Sequence, residues 1–371
     1  MITGIGSAVD LVSGKKGAFY NTLEEFHKYW DRIDIIAPKI RNQESGTRCL
    51  FGNVFIHISA WPLVFHPFWF IKKGLEIYKE QKFDLMTVHE FPPFYNGIGA
   101  RLLWQKIRVP YVLETFHIPG HPRAANIKEI IYKFLFKLFI RFDVSKAKAV
   151  RVMNQKQVPD FLIKVGVPKE KIIHIPAIYI DLDIFKPMNL PKEYDLIFVG
   201  RLEKNKGTGL LLEASSKLKA QILNFKMIIV GSGPLEESLK LKIKNLKLQD
   251  NVLLYGWAKD SHEIAELINK SKILIMSSYN EGGPRVVLEA MACGVPVLAT
   301  PVGIVPDVIK DGKSGVIIGW QSDDIVSRAK ELLFNPEKYG RYSQTGIEIA
   351  KQFERKTAIK NYAEKLKKIL G

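Results

Sequence analysis

Short apolar runs alternate along this chain with longer stretches of helical periodicity. That alternation is what a parallel sheet covered by helices imposes on a sequence. In the first half the strand candidates are residues 32–37, 53–59, 85–89, 111–115, 149–153 and 172–175. In the second half they are 195–199, 226–230, 251–255, 273–276, 295–300 and 315–318. Two consecutive sets predict two doubly wound units of the α/β class, and 371 residues accommodate two domains. The seam falls at 181–194, where Pro187 and Pro191 interrupt the periodicity and the chain turns polar. The reading is therefore a first domain over 1–180, a linker over 181–194 and a second domain over 195–342. A C-terminal helix over 343–371, with a basic face, can cap either domain or pack back on the first.

Composition narrows the class. With 47% hydrophobic and 25% charged residues the chain is globular, which excludes a disordered, collagen-like or coiled-coil protein. The net charge of +17 calls for an anionic partner, and phosphate of a nucleotide, a lipid head group or a nucleic acid would each satisfy it. No nucleic-acid module is recognisable, so nucleic acid is not the expected partner. Cys49 and Cys293 cannot build a disulfide framework, and no secretory leader is apparent, so a reducing cytoplasm is expected. Residues 49–71 run without a formal charge, but Pro62, Pro67, Asn53, His57 and His66 break the run. A strand over 53–59 followed by a helix entered at Pro67 is expected there rather than a membrane span.

Several motif readings fail on their own residues. Gly4-Ile-Gly6 and Gly231-Ser-Gly233 each lack the third glycine of a dinucleotide fingerprint, having Val9 and Glu236 in its place. No P-loop, nucleophile elbow or zincin motif occurs. Asp181-Leu-Asp183 resembles a metal-holding aspartate pair, but its place in the linker reads as a solvated turn.

Two stretches do carry chemistry. In 277–294, SSYNEGGPRVVLEAMACG, a glycine loop leads from a strand into a helix that begins at Pro284 and is closed by Gly294. Such a helix start, at the carboxyl edge of a sheet, offers unpaired backbone N–H groups to a phosphate or a sugar hydroxyl. Glu281 and Glu289 flank it. With 23 glutamates in the chain their spacing alone means nothing, since about 1.4 such pairs arise by chance. In 198–207, FVGRLEKNKG, Arg201 and Lys206 follow the first strand of the second domain onto a polar loop. Ligands of open parallel sheets bind at that edge. On composition alone these would be two solvated surface cations.

These segments, with VGSGP at 230–234 and DGKSGVIIG at 311–319, give the second half a specific resemblance to the retaining glycosyltransferases of family 4 and their Glu-x7-Glu motif. The resemblance runs from residue 17 to 369. It is thinner in the first half, where VHEFPPF at 88–94, LETFHIPGH at 113–121 and KVGVPKEKIIHIP at 164–176 carry it. It implies the GT-B architecture, two Rossmann-like doubly wound parallel-sheet domains facing across a cleft. It also implies transfer of a hexosyl group from a nucleoside-diphosphate sugar to an acceptor, with retention of anomeric configuration and without a cofactor or metal. The acceptor expected is a glycan or a lipid-linked or surface-glycan precursor. By the same resemblance Arg201 and Lys206 hold the diphosphate and Glu281 contacts the donor sugar. Glu289 grips the ribose, and Gly283, Pro284 and Arg285 present the helix start. His117 stands beside the transferred sugar, and Gly17 belongs to the loop near the donor phosphates. A nucleotide-sugar epimerase that hydrolyses its substrate, and a non-catalytic nucleotide-sugar-binding protein, are the alternatives.

One further stretch bears on partners. Between Arg123 and Arg151, Lys133, Lys137 and Arg141 recur every four residues among Ile130, Ile131, Phe134, Leu135, Phe136, Leu138, Phe139, Ile140 and Phe142. Such a helix either lies in an anionic membrane interface or packs inside the domain with only its basic stripe exposed. The first reading would place the enzyme peripherally on the inner face of the membrane.

Overall fold

The computed structural model describes residues 1, 8, 11–12, 17–41, 43–90, 92, 94–176 and 178–370. They form two compact units. One comprises Met1–Ile118, Ile130–Ala177 and Lys356–Gly371, the other Pro119–Glu129 and Ile178–Arg355. The glycine pair Gly4-Ile-Gly6, with Val9, lies outside the described residues.

The first unit contains α1 (Ala18–Phe26), β1 (Ile33–Ala37), β2 (Gly46–Leu50), β3 (Val54–Ile58), α2 (His66–Glu80), β4 (Met86–His89), α3 (Tyr95–Ile107) and β5 (Tyr111–Thr115). It continues with α4 (Ile127–Val144), whose first turn belongs to the other unit, β6 (Ala149–Val152), α5 (Gln157–Lys164) and β7 (Ile172–His174). Strands β4-β5-β6-β7 form a parallel sheet, and β1 pairs parallel with β3. Every residue of β4, β5 and β6 is buried, as expected for a sheet covered on both faces. Phe70, Val88, Leu113, Phe136 and Val150 are among the side chains that close its core.

In the second unit β8 (Tyr194–Val199), α6 (Thr208–Lys219), β9 (Met227–Val230), α7 (Glu236–Asn245), β10 (Val252–Gly256), α8 (Ser261–Asn269) and β11 (Ser271–Met276) follow one another. After them come α9 (Arg285–Ala292), β12 (Val297–Ala299), α10 (Val305–Val308), β13 (Val316–Ile317), α11 (Ser322–Leu333) and α12 (Pro336–Lys351). The sheet order is β10-β9-β8-β11-β12-β13, every pair parallel. This is the Rossmann order, which reverses direction between β8 and β11. The core includes Leu196, Phe198, Leu212, Ile229, Ile275 and Leu298.

Three departures from the sequence reading have physical causes. Strand β2, antiparallel to β3, was not expected: all its residues but Leu50 are exposed, so it carries no apolar periodicity. The expected helix over 343–371 is two helices. The first, α12, is capped by the Asn335 side chain, which accepts from the Lys338 N–H at 2.9 Å. The second, α13 (Arg355–Leu370), has its residues from Lys356 onward in the first unit. Between them the Ile180 N–H donates to the Phe353 carbonyl and the Arg355 N–H to the Ile180 carbonyl, and this pairing interrupts the helical run. Finally, of the two readings left open for α4, exposure of a basic stripe alone does not hold, because Ile127, Ile130, Ile131, Phe134, Leu138 and Phe142 are exposed as well.

Other expectations hold. Residues 49–71 are strand followed by helix, with Pro67 in the first turn of α2. No helix among the described residues is long and apolar enough to cross a membrane. Asp181-Leu-Asp183 is a turn in which the Asp181 carboxylate accepts from the Asp183 N–H at 3.1 Å.

Candidate active site

All six strands of the second sheet run the same way, so their carboxyl ends share one edge, and the loops after β8 and β11 are neighbours there. The loop after β8 carries Arg201 and, through a short 3-10 turn (Lys204–Lys206), Lys206. The loop after β11 carries residues 277–284 into α9. Gly207 lets the two loops touch. Its φ is +68°, and a Cβ there would overlap the Ser277 carbonyl oxygen.

Hydrogen bonds fix the second loop before any ligand arrives. The Ser277 hydroxyl donates to the Lys206 carbonyl at 2.9 Å, and the Tyr279 N–H donates to the Asn205 carbonyl at 2.8 Å. The Ser278 carbonyl accepts from Thr300 Oγ1 at 2.6 Å and from the Trp320 indole at 2.9 Å. Asn280, almost fully buried, donates to the Arg123 carbonyl at 3.0 Å and to Glu129 Oε2 at 2.9 Å. The Arg123 guanidinium lies over the rings of Tyr279 and Trp320.

In this frame Lys206 Nζ donates to Glu281 Oε1, which also accepts from the Ser278 hydroxyl at 2.8 Å. Residues 75 apart in sequence thus form one partly buried pair at the switch point. Arg201 is not part of it. Its guanidinium is 66% exposed and lies 3.0 Å from Glu203. Gly283, Pro284 and Arg285 lead into α9, whose start has no side-chain cap. The Arg285 guanidinium lies 4.6 Å from the centre of the Tyr179 ring, so this residue offers the loop side its backbone rather than its charge. Glu289 projects from α9 and is partly buried. Desolvation pushes its carboxyl up to about 7, against the opposing charge of Arg285.

In the first unit, Gly17 is the residue before α1, and its carbonyl accepts from the Asn21 N–H at 3.0 Å. His117 is exposed, two residues beyond the end of β5. The sequence reading passed over a buried charged cluster in the same unit, Glu114 and Arg151 with His89 and Tyr362. The available signal was that otherwise apolar strands each carry one charged or titratable residue near the carboxyl end.

A doubly wound unit with this switch-point site, preceded by a second α/β unit, has the fold of the GT-B glycosyltransferases. Residues 181–349 match the family described as glycosyl transferases, group 1. Over 166 residues the chain is 32% identical to the Escherichia coli K12 protein named as the colanic acid biosynthesis glycosyltransferase WcaL, covering 42% of this chain and 40% of that one. The chain thus spans less than half the length of that relative. It is 27% identical over 335 residues to the N-acetyl-alpha-D-glucosaminyl L-malate synthase of Bacillus anthracis, with 84% of each chain covered. Among solved structures it superimposes on sucrose-phosphate synthase from Thermosynechococcus elongatus with a TM-score of 0.82, at 18% identity, covering 99% of this chain and 98% of that one.

Proposed function

We propose that the chain is a retaining, metal-independent glycosyltransferase of the family 4 type, moving a hexosyl group from a nucleoside-diphosphate sugar to an acceptor. The observation that supports it most is the Lys206–Glu281 pair at the switch point. A cation for the diphosphate and a carboxylate for sugar hydroxyls stand side by side there, as the covalent junction of β-phosphate and sugar demands. Arg201 supplies the second cation, the start of α9 supplies the N–H groups of Gly283 and Arg285 around Pro284, which has no N–H of its own, and Glu289 receives the ribose hydroxyls. Gly17 approaches the donor phosphates, and His117 stands beside the transferred sugar.

Chemically, the bond between the sugar's anomeric carbon and the β-phosphate oxygen breaks while the acceptor oxygen bonds to the same face. The acceptor's proton passes to the departing phosphate. Negative charge grows on the leaving group, and Lys206 and Arg201 are placed to meet it, doing electrostatically what a metal ion does in other enzymes.

The acceptor is a lipid-linked or surface-glycan precursor, met at the cytoplasmic face of an anionic membrane. The exposed apolar residues of α4 beside Lys137 and Arg141 support this reading, each cation near the surface contributing about 1 kcal/mol.

The test is to incubate the chain with UDP-, GDP- and ADP-sugars, with and without a lipid-diphosphate acceptor, and follow the anomeric signals by NMR. A product keeping the donor's configuration supports the proposal. Free sugar released without acceptor would instead identify a hydrolysing epimerase. For the membrane part, flotation with anionic but not neutral liposomes, lost in K133E/K137E/R141E, is expected, and equal absence from both would discard it.

A further inference from the structure

His89, Glu114 and Arg151 are register partners across β4, β5 and β6, so their side chains leave the same face of the sheet at the same level. Glu114 has no exposed surface. Arg151 Nη1 donates to its Oε1, and His89 Nε2 lies 2.7 Å from its Oε2. Tyr362 reaches in from α13 and donates its hydroxyl to Glu114 Oε1 at 2.7 Å, while the Arg151 guanidinium lies 3.7 Å from the centre of the tyrosine ring. Burial alone would push the Glu114 carboxyl up, but Arg151 and then His89 outweigh it and hold the group well below the usual carboxylate range. Glu114 is thus a permanent buried anion, and such a group is rigid because each lost partner is costly.

This anchor leads to the two first-unit residues assigned to the reaction. The His89 ring meets Phe116 edge-on, with centroids 4.9 Å apart, and Phe116 immediately precedes His117. On another side it meets Phe19 edge-on at 5.7 Å, and Phe19 is two residues beyond Gly17. One imidazole therefore touches both segments.

We propose that His89 and Tyr362 are positioning residues: Tyr362 and Arg151 fix the Glu114 carboxylate, Glu114 fixes the His89 ring, and that ring sets the spacing of the Gly17 and His117 segments. The assignment rests on the transferase reading for what Gly17 and His117 do, but the positioning itself is a statement about structure. Tyr362→Phe removes only the hydroxyl and keeps the ring on Arg151 and on Phe26, stacked at 4.7 Å, so the variant should fold.

Two measurements test it. In amide hydrogen exchange, Tyr362→Phe and His89→Gln should accelerate residues 17–21 and 115–118 together by about tenfold, with 208–219 unchanged as the control. In turnover of whichever UDP-, GDP- or ADP-sugar the wild type uses, kcat should fall about tenfold with the donor KM constant within about twofold, since small misplacements cost rate rather than donor binding. Unchanged exchange at either segment would overturn the proposal, whereas accelerated exchange with an unchanged kcat would uphold the positioning and remove the roles given to Gly17 and His117. A wild type inactive with every donor would defeat only the transferase reading, and exchange would still decide the positioning.

Discussion

On the proposed reading, Glu289 couples both stability and nucleotide binding to pH. Its carboxyl ordinarily titrates at 4.5 and is pushed up to about 7 by desolvation. The folded state therefore binds more protons than the unfolded state between these values. Stability contributed at low pH is lost as pH rises through that window and does not return above it. The difference of about 2.5 units sets an upper bound near 3 kcal/mol. Glu289 keeps some contact with water, so about 1–2 kcal/mol is the working figure. Glu289→Gln is neutral at every pH, so it should match the wild type near pH 4.5 and exceed it at pH 8.5, shifting the unfolding midpoint of the second unit by roughly 2–8 °C. Nucleotide binding should move the opposite way. If ribose hydroxyls donate to the ionised carboxylate, as proposed, the variant should lose about 10- to 100-fold in nucleoside-diphosphate affinity. Wild-type affinity should tighten between pH 6 and 8 while that of the variant stays flat. Thermal unfolding and titration calorimetry across pH read both effects. Equal stability at pH 8.5, or an affinity gap that does not change with pH, would refute the reasoning.

Three other outcomes are expected. Lys206→Ala and Arg201→Ala should each lower kcat/KM by about 10²–10³, with wild-type activity persisting in EDTA; near-normal turnover in both variants, or loss in chelator restored by Mg²⁺, would remove their role. Glu281→Gln should impair transfer while leaving nucleoside-diphosphate affinity within about threefold, and a matching loss in both would merge its role with that of Glu289. The third concerns Glu90 and Asp143, buried carboxyls that both crowd Gly97 in α3, where a Cβ would overlap the two. Desolvation raises both, Asp143 from 3.8 to about 8, so stability of the first unit is lost as pH rises through that window. Asp143→Asn should therefore stabilise more at pH 8.5 than at pH 5 in urea unfolding, and a pH-independent difference would contradict this.

The parallel cores were legible because a strand buried on both faces leaves a nearly continuous apolar run, and every expected run appears as a strand within a residue or two. Strand β2 was illegible for the converse reason. Its Gly-Thr-Arg-Cys-Leu sequence leaves every residue but Leu50 exposed, and Thr47 meets His57 of β3 through a hydrogen bond, Oγ1 to Nδ1 at 3.0 Å, rather than through apolar packing. The glycine loop, the helix start and Glu281 were legible because they lie in one segment, whereas the pairing of Glu281 with Lys206, 75 residues away, depends on the sheet order that makes β8 and β11 neighbours. The Glu114 cluster was not, because nothing local in Met-Thr-Val-His, Tyr-Val-Leu-Glu-Thr or Ala-Val-Arg-Val sets His89, Glu114 and Arg151 in line. Only the strand register does that, and a helix more than 200 residues later completes the cluster.

On the proposed reading, the two cations at the switch point have different mechanical characters, and this bears on how a diphosphate is caught. Lys206 is held by Glu281, and pulling it away would strand a partly buried carboxylate on a loop tied down by Ser277, Ser278 and Tyr279. That loss is costly, since the cost of breaking such a pair grows with its burial. Among the described residues the Arg201 guanidinium is paired only with Glu203, at the surface, where an ion pair is worth about 0–1 kcal/mol. It can exchange Glu203 for a phosphate almost without penalty, and its planar fork suits two phosphate oxygens at once. Lys206 is thus a preset contact that costs no reorganisation, and Arg201 is the arm that swings in. Loss of Lys206 should accordingly appear mainly in kcat, and loss of Arg201 should include a larger share in donor KM.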